Sequence, residues 1–513
     1  DCLLSRGLGD VYKRQNPDGP VNLKTDASIA AFSAAVDRAL ADDAVRGVLV
    51  RSAKRDFVAG GDLLGLYATQ TAEGAIAKVA TIGATLRRME RAGKPFVAVL
   101  DGSALGGGLE IALACHHRLA ADDARLRFGL PEVTLGLIPG AGGTQRLPRL
   151  IGIAPATRLL MEGKPVGAAE ALALGLVNEV VAADRLLETA RAWVLAHPQA
   201  QQPWDRKGFR YPGFEPQSLE GRAFFFNAWP QLRRKSPTED RAPGVLLHVL
   251  GQALQRDIDA GLAIEQRYFA QVVTSPSAKN RIRTQFIAVN AARKLTRRSP
   301  DVPRFEPKRV GVIGAGTMGA GIALVCARAG IATVLLDRDD TTAARGRERI
   351  AKTLDGSVER KLMGAQERDA ILGRLQAGSD FELLQGCDLV VEAVIEVAEA
   401  KREVFERVLA AAGPDVLLAT NTSTLSISGL AKTVAHPRNF IGLHFFAPVD
   451  RMALVEVIMG ADTSEATLAR SLDFLRLLGK TPVVVNDGPG FYTSRVVGAC
   501  LLYTSDAADE GLG

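Results

Sequence analysis

The chain is poor in cysteine and in aromatic residues, and each shortage excludes something. Five cysteines among 513 residues cannot staple a disulfide scaffold, and no C-x-x-C pair offers a structural zinc site. Aromatics make up 5% of the chain, too few to interleave with basic side chains as stacking platforms for bases. Glycine and proline follow no three-residue period, which excludes a collagen-like chain. No repeat with a period of about 20–50 residues is visible. One uncharged run, Val310–Ala327, reaches 18 residues, the lower limit for crossing a bilayer. Five of those residues are glycine, and their spacing has another explanation below.

What remains is ordinary globular material, 47% hydrophobic and 23% charged. At roughly 150 residues per domain the length suggests about three domains. The net charge of +6 allows an anionic partner, so the position of the charge matters. Lys279–Arg309 holds ten Lys/Arg against two Asp/Glu, but only Phe286 and Phe305 among aromatics. The stretch reads as a solvated helix face and linker rather than a nucleic-acid groove, with a phosphate-bearing small ligand as the other alternative.

The two ends are expected to be foreign. Asp10-Val-Tyr-Lys-Arg-Gln15 and Cys500-Leu-Leu-Tyr-Thr-Ser505 can be encoded by one oligonucleotide in opposite orientations, as in a sequencing-library adapter. Residues 1–15 and 500–513 are therefore set aside, leaving 16–499 as a fragment open at both ends.

Residues 16–190 alternate helix-like and strand-like segments. Ile29, Phe32, Val36 and Leu40 share one helical face, and Val45–Val50 and Pro95–Leu100 read as buried strands, a pattern of α/β architecture. Residues 191–305 are richer in Pro, Gln and Arg and then amphipathic. Alternation resumes from Arg309 to Gly488.

The first chemical constellation lies in the α/β part. Phe57-Val-Ala-Gly-Gly-Asp62 and Asp101-Gly-Ser-Ala-Leu-Gly-Gly-Gly-Leu-Glu110 are glycine turns, the second leading into an apolar helix. Free N–H groups at such turns favour developing negative charge, each worth roughly 3–4 kcal/mol in a dry site. Phe128-Gly-Leu-Pro-Glu132 adds a second carboxylate, followed by the glycine loop 136–144. Paired carboxylates suit the addition of water across a conjugated double bond, one taking a proton from water and the other protonating carbon. Cys115-His116-His117 does not read as a metal site, because neighbouring helical positions diverge. Gly479-Lys480-Thr481 lacks the first glycine of a P-loop.

The strings "FVAGGD", "GSALGGGLE" and "FGLPEVTLGLIPGAGGTQRLPRLIG" resemble the enoyl-CoA hydratase (crotonase) family over essentially all of 16–190. The resemblance implies that the N–H groups of Gly61 and Gly107 hold the thioester oxygen. It also implies that Glu110 activates water and Glu132 delivers the α-proton. Members that isomerise or cleave often lack one glutamate, so the presence of both favours hydration.

The second constellation is Arg309-Val-Gly-Val-Ile-Gly314-Ala-Gly316-Thr-Met-Gly319, an apolar strand running into G-x-G-x-x-G. A helix and a second strand follow, ending at Asp337, 21 residues beyond Gly316. This is the dinucleotide fingerprint. Gly314 makes the turn, Gly316 admits the pyrophosphate beside Thr317 and Met318, and Gly319 permits close packing. Asp337 binds ribose hydroxyls and favours NAD over NADP. The base needed to deprotonate an alcohol is His444, with Glu456 12 residues on and Asn421–Ser426 before it.

These strings resemble the L-3-hydroxyacyl-CoA dehydrogenase family over about 306–499. The resemblance implies His444 as base, Glu456 as its orienting partner and Ser423 as a hydroxyl ligand of the substrate oxygen. Glu396, Lys401 and Asn421 match positions near the nicotinamide and the CoA substrate. Ser494 stands where many members have Asn, which puts that residue's usual role in doubt here.

The expected fold class is α/β. A crotonase-type spiral domain spans 16–190, a helical linker region 191–305 and a Rossmann NAD-binding domain 306–488. Residues 489–499 open a C-terminal helical domain that is otherwise expected to be missing. The pairing resembles the bifunctional α-subunits of bacterial fatty-acid β-oxidation complexes. It implies acyl-CoA substrates, NAD, a cytoplasmic location, a thiolase β-subunit partner, and neither nucleic acid nor a membrane span. The alternatives are isomerase or epimerase chemistry at the same glutamates, and a catalytically dead acyl-CoA-binding scaffold.

Overall fold

The computed structural model describes residues 2–6, 21–235 and 241–500. The chain divides into two compact units, Asp1–Ile287 and Ala288–Gly513.

In the first unit the strands are β1 (Cys2–Arg6), β2 (Val45–Arg51), β3 (Phe96–Leu100), β4 (Ala104–Leu105), β5 (His117–Ala121), β6 (Phe128–Gly129) and β7 (Glu179–Val181). The sheet order is β1-β2-β3-β5-β7, parallel except for β1, and β4 pairs with β6 separately. Every residue of β3 is buried, as expected of a central parallel strand covered on both faces. Residues 2–6, set aside in the sequence reading, lie antiparallel along β2 with Leu3 opposite Leu49. An unpaired strand edge is a template for such pairing.

The helices of this unit are α1 (Asp26–Ala41), α2 (Leu63–Ala68), α3 (Ala72–Arg91), α4 (Gly107–Ala114), α5 (Gly143–Ile151), α6 (Ile153–Glu162), α7 (Ala168–Ala173) and α8 (Leu186–Ala196). They continue with α9 (Leu219–Lys235), α10 (Arg241–Ala253), α11 (Ile258–Val273) and α12 (Pro276–Arg281). Thr25 starts α1 through a capping box with Ser28, satisfying donors that have no intrahelical partner. On α3, Ala75, Val79, Ile82, Leu86 and Met89 form the buried stripe. The helices after α9 are not a solvated appendage. Leu246, Leu250, Phe269 and Val273 belong to the same hydrophobic core as β3 and α4. The stretch 191–305 is thus divided, its part up to Ile287 packing with the first unit. A fully buried ion pair, Arg146 with Glu90 at 2.5 Å, lies in this core. Lys279, from the basic stretch, caps the end of α2, its ammonium donating to the carbonyls of Leu66, Tyr67 and Thr69.

The second unit comprises α13 (Val289–Arg293), β8 (Arg309–Ile313), α14 (Thr317–Arg328), β9 (Ala332–Leu336), α15 (Asp340–Glu359), α16 (Ala365–Gly373), β10 (Leu375–Gly378), β11 (Leu389–Glu392) and α17 (Ala398–Ala412). Then come β12 (Leu417–Thr420), α18 (Ile427–Ala431), β13 (Phe440–Phe445), β14 (Leu454–Met459), α19 (Glu465–Leu477) and β15 (Thr481–Asn486). The sheet order β10-β9-β8-β11-β12-β13 is the doubly wound dinucleotide-binding order. Strands β14 and β15 extend it, β14 running antiparallel to β13. The glycine-rich run Val310–Ala327 becomes β8, the turn and most of α14. No helix among the described residues is long and apolar enough to cross a membrane.

Candidate functional site

Each unit carries one cluster of polar side chains at glycine turns. In the first unit a pocket of about 140 Å³ is lined by Gly61, Gly107, Glu110 and Glu132, together with Lys24 and Phe269. Gly107 is the first residue of α4, so its N–H has no intrahelical partner. Gly106 before it has φ +53°, and a Cβ there would lie 2.8 Å from Glu132 Oε1. Only glycine allows the chain to turn this way with the carboxyl group so close.

Glu110, in the first turn of α4, is buried. Its Oε1 accepts the N–H groups of Ala141 and Gly143 at 2.7 and 2.9 Å. Its Oε2 accepts from Lys24 Nζ at 3.2 Å. Glu132 stands in the 3-10 turn Pro131–Leu135 and lacks such company. The residue as a whole is half-buried, but its Oε2 is covered and has no hydrogen-bond partner. Burial, and then the charge of Glu110, push the Glu132 carboxyl up to about 8. At neutral pH Glu132 holds a proton while Glu110 sits among donors suited to a carboxylate, an acid beside a base.

Two residues of this cluster were not singled out from the sequence. Lys24 reaches the pocket because its strand-like backbone pairs with Gly61, which no local pattern reveals. Glu265 of α11 is fully buried. It accepts the N–H groups of Gly142 and Thr144 at 2.6 and 2.9 Å and the Thr144 hydroxyl at 2.5 Å. Burial, and then Glu110, push it up to about 8 as well. Its signal was available: an acid on the apolar stripe of Leu262 and Phe269 is anomalous unless paired.

His116 and His117 are engaged with protein groups. His116 Nδ1 accepts the Phe96 N–H at 3.1 Å and Nε2 faces the Glu90 carbonyl at 3.2 Å. His117 pairs with Glu179. Among the described residues no group of His, Cys, Asp and Glu could hold a metal ion.

In the second unit Gly314 has φ +100°, and a Cβ there would lie 2.5 Å from the Ala393 carbonyl oxygen. A Cβ on Gly316 would meet nothing within 4 Å, which leaves open space at the start of α14. Thr317, Met318 and Gly319 form the first turn of α14, and no side chain caps it. Asp337 ends β9. Its Oδ2 accepts the Ala315 N–H at 2.6 Å and its Oδ1 the Arg338 N–H at 2.8 Å. Open space, free helix N–H groups and an acid at the next strand's end fit a dinucleotide.

His444 on β13 lies directly opposite Glu456 on β14 in the antiparallel register. Nδ1 is 2.8 Å from Glu456 Oε2. Glu456, fully buried, also accepts from the Tyr492 and Thr493 N–H groups and the Thr493 hydroxyl. A carboxylate at Nδ1 keeps the proton there and leaves Nε2 as the acceptor. Asn421 Oδ1 accepts the Phe445 N–H at 2.8 Å, tying the end of β12 beside His444. Ser423 is half-buried, and its N–H and hydroxyl meet Glu396 Oε1 at 2.8 and 3.3 Å. Burial opposes the charge of Glu396, but hydrogen bonds from Thr422 and Ser423 and the Lys401 ammonium outweigh it and bring the group down to about 2. Lys401, expected near a ligand, is only 1% exposed, and its ammonium is held by Glu392 at 2.8 and 3.0 Å and by Glu396 at 3.3 Å. Glu392, which ends β11 and also accepts from Thr420, was not singled out from the sequence.

Comparison with known proteins agrees with both halves. Residues 14–202 match the enoyl-CoA hydratase/isomerase family, and residues 309–488 match the NAD binding domain of 3-hydroxyacyl-CoA dehydrogenase. A fatty acid oxidation complex subunit alpha of Shewanella baltica is 37% identical over 474 residues, 91% of this chain and 66% of the relative. One from Shewanella frigidimarina is 37% identical over 475 residues, 91% of this chain and 65% of the relative. The chain therefore spans slightly less than two thirds of the length of these curated relatives. The crystal structure of (S)-3-hydroxybutyryl-CoA dehydrogenase from Ralstonia eutropha is similar at 34% identity and a TM-score of 0.40, over 40% of this chain and 74% of that one. The chain belongs, in its first part, to the enoyl-CoA hydratase/isomerase family and, in its second, to the NAD-binding domain family of 3-hydroxyacyl-CoA dehydrogenases.

Proposed function

We propose that the first unit hydrates trans-2-enoyl-CoA thioesters to L-3-hydroxyacyl-CoA, and that the second oxidises this product with NAD to 3-oxoacyl-CoA. The observation that carries the reading is the unequal carboxyl pair: Glu110 held by two backbone N–H groups and Lys24, Glu132 covered and without a partner at Oε2. The Gly61 and Gly107 N–H groups polarise the thioester oxygen. Glu110 takes a proton from water as the water oxygen bonds to the β-carbon. Glu132 delivers its proton to the α-carbon, and a proton returning from Glu110 to Glu132 resets the pair. The balance is one water added.

In the second unit the residues present fit NAD, with Gly316 and the first turn of α14 at the pyrophosphate and Asp337 at the ribose. Bound NAD supplies the hydride acceptor. His444 Nε2 takes the hydroxyl proton, and Glu456 stabilises the imidazolium through Nδ1. Ser423 and Asn421 orient the substrate oxygen and the strand that carries His444. The relatives are named as alpha subunits of a complex, which supports a second subunit as partner, and we propose a thiolase for it.

Crotonyl-CoA given to the chain should lose its enoyl absorbance without NAD, and NADH should appear only when NAD is added. Persistence of the enoyl absorbance would refute the hydration reading.

A further inference from the structure

The glycine loop 140–144 divides its N–H groups between two buried carboxylates. Ala141 and Gly143 donate to Glu110, while Gly142 and Thr144 donate to Glu265. Successive N–H groups thus point alternately to opposite sides, and the two acids clamp one strand of backbone between α4 and α11. The Thr144 hydroxyl accepts from Gln145 Nε2 at 2.9 Å and so directs its own proton to Glu265. Glu265 is not among the residues that line the pocket, yet its side-chain hydrogen bonds all go to the loop that holds Glu110.

We propose that Glu265 is a positioning residue of the hydration site: it fixes the glycine loop so that the alternate N–H groups hold the Glu110 carboxylate at the attacking water. This rests on the hydration reading above. Nothing in the matched hydratase family region, residues 14–202, contains Glu265, so the site is completed by a helix beyond it.

The electrostatic surroundings give the role a signature that a purely structural residue would lack. The charges facing Glu265 are Glu110 on α4, Glu132 on the 3-10 turn and, beyond Glu110, Lys24. From α5, Arg146 is neutralised by Glu90 of α3, and on α11 itself Asp259 pairs with Arg87 of α3. The buried residues of α10 are all apolar. The charge of Glu265 contributes to the upward push on Glu132. Removing it lets the acid lose its proton at lower pH.

The test uses the full chain and crotonyl-CoA, with kcat, KM and the pH profile of kcat/KM measured for Glu265→Gln, Thr144→Val and Glu110→Gln. For Glu265→Gln, kcat is expected to fall about tenfold or more with KM within about twofold, as for a lost transition-state interaction. Its alkaline limb is expected to move to lower pH. Thr144→Val, which keeps the backbone donor, is expected to lower kcat about threefold. A folded Glu265→Gln variant with parental kcat, or with reduced kcat and an unmoved alkaline limb, overturns the proposal. If that variant does not fold, parental kcat in Thr144→Val overturns it. Full turnover in Glu110→Gln removes the hydration reading and this inference together, whereas a silent Glu265 beside a crippled Glu110→Gln removes the inference alone.

Discussion

The two units treat a carboxyl group of their candidate sites in opposite ways. In the first, Glu132 is covered, has no donor at Oε2 and lies near a second acid, and it is pushed up to about 8. In the second, Glu396 receives two backbone N–H groups, three hydroxyls and an ammonium, and it is held down at about 2. Depth and donors both contribute: burial is the main push on Glu132, whereas Glu396 is more exposed and its donors outweigh what burial it has. The proposed hydration needs an acid that still carries its proton at neutral pH, and burial without donors supplies one. The donors around Glu396 instead hold it in place as an anion, which fixes the Thr422–Thr424 loop. The first unit stores a proton; the second stores a geometry.

The contrast breaks most visibly at Lys401, the one ammonium between Glu392 and Glu396. Lys401→Met leaves a fully buried Glu392 unpaired, at an expected cost of about 3–5 kcal/mol to the second unit. Urea unfolding followed by circular dichroism measures this, and a loss under about 1 kcal/mol would show that the pair does not hold the unit together. In the first unit, Glu110→Gln and Glu132→Gln should each lower hydration by at least about 100-fold, the low end for a positioned acid or base. Thioester binding should persist in both variants, since the donors at Gly61 and Gly107 are backbone groups. Parental turnover in either would dissolve the acid–base pair.

Much of this was legible before any coordinates. Glycine spacing marks Gly314 and Gly319 because a tight turn or close approach there excludes a Cβ, and that constraint is local, whereas Gly61 and Gly107 come from the family resemblance. His444 and Glu456 were legible as a pair because two adjacent antiparallel strands bring residues 12 apart into register. The misses share a cause. Lys24 meets Glu110 across 86 positions, and Glu265 meets the glycine loop across 123. Such partners are chosen by the packing of helices, which leaves no trace in spacing. Composition made 191–305 look like a linker because its Pro, Gln and Arg come first, while the apolar faces of α10 and α11 come later. Lys401 was placed near a ligand through family resemblance, and its burial between Glu392 and Glu396 follows from the short reach back from α17 to β11.

Opposite carboxyl environments also predict opposite responses of stability to pH. Glu132 and Glu265 are raised to about 8 when folded, so the folded unit binds more protons than the unfolded chain above their ordinary range. Their contribution is complete at acidic pH and is lost as pH rises toward 8, by at most about 1.4 kcal/mol per pH unit for each group. Glu396, lowered to about 2, contributes above the ordinary carboxylate range and loses its contribution only as pH falls through 2. Between pH 5 and 8 the first unit should therefore weaken while the second stays level. Denaturant titrations across that range, read by tryptophan fluorescence of the first unit (Trp193, Trp204 and Trp229 all lie there), check the slope. Glu132→Gln should flatten it, and an equal slope in that variant would mean the proton is held elsewhere.

The smallest effect should come from Asp337, because its carboxylate already has partners without any ligand. Oδ2 holds the Ala315 N–H and Oδ1 the Arg338 N–H, so the acid braces the glycine turn while it waits at the end of β9. Asp337→Ala should then act twice. It removes a charged acceptor for the ribose hydroxyls and loosens the turn that presents the first N–H groups of α14. The sum should weaken NAD about tenfold, in the range of one hydrogen bond to a charged group. NADP should weaken less or not at all, since the same charge repels a 2′-phosphate. Asp337→Asn separates the two effects, because the amide oxygen can still accept the Ala315 N–H while the charge is gone. Calorimetry on both cofactors should find NAD affinity closer to the parent in the Asn variant than in the Ala variant, with the preference over NADP narrowed in both. An Asn variant that keeps the parental preference would assign discrimination to the shape of the turn rather than to the charge at its side.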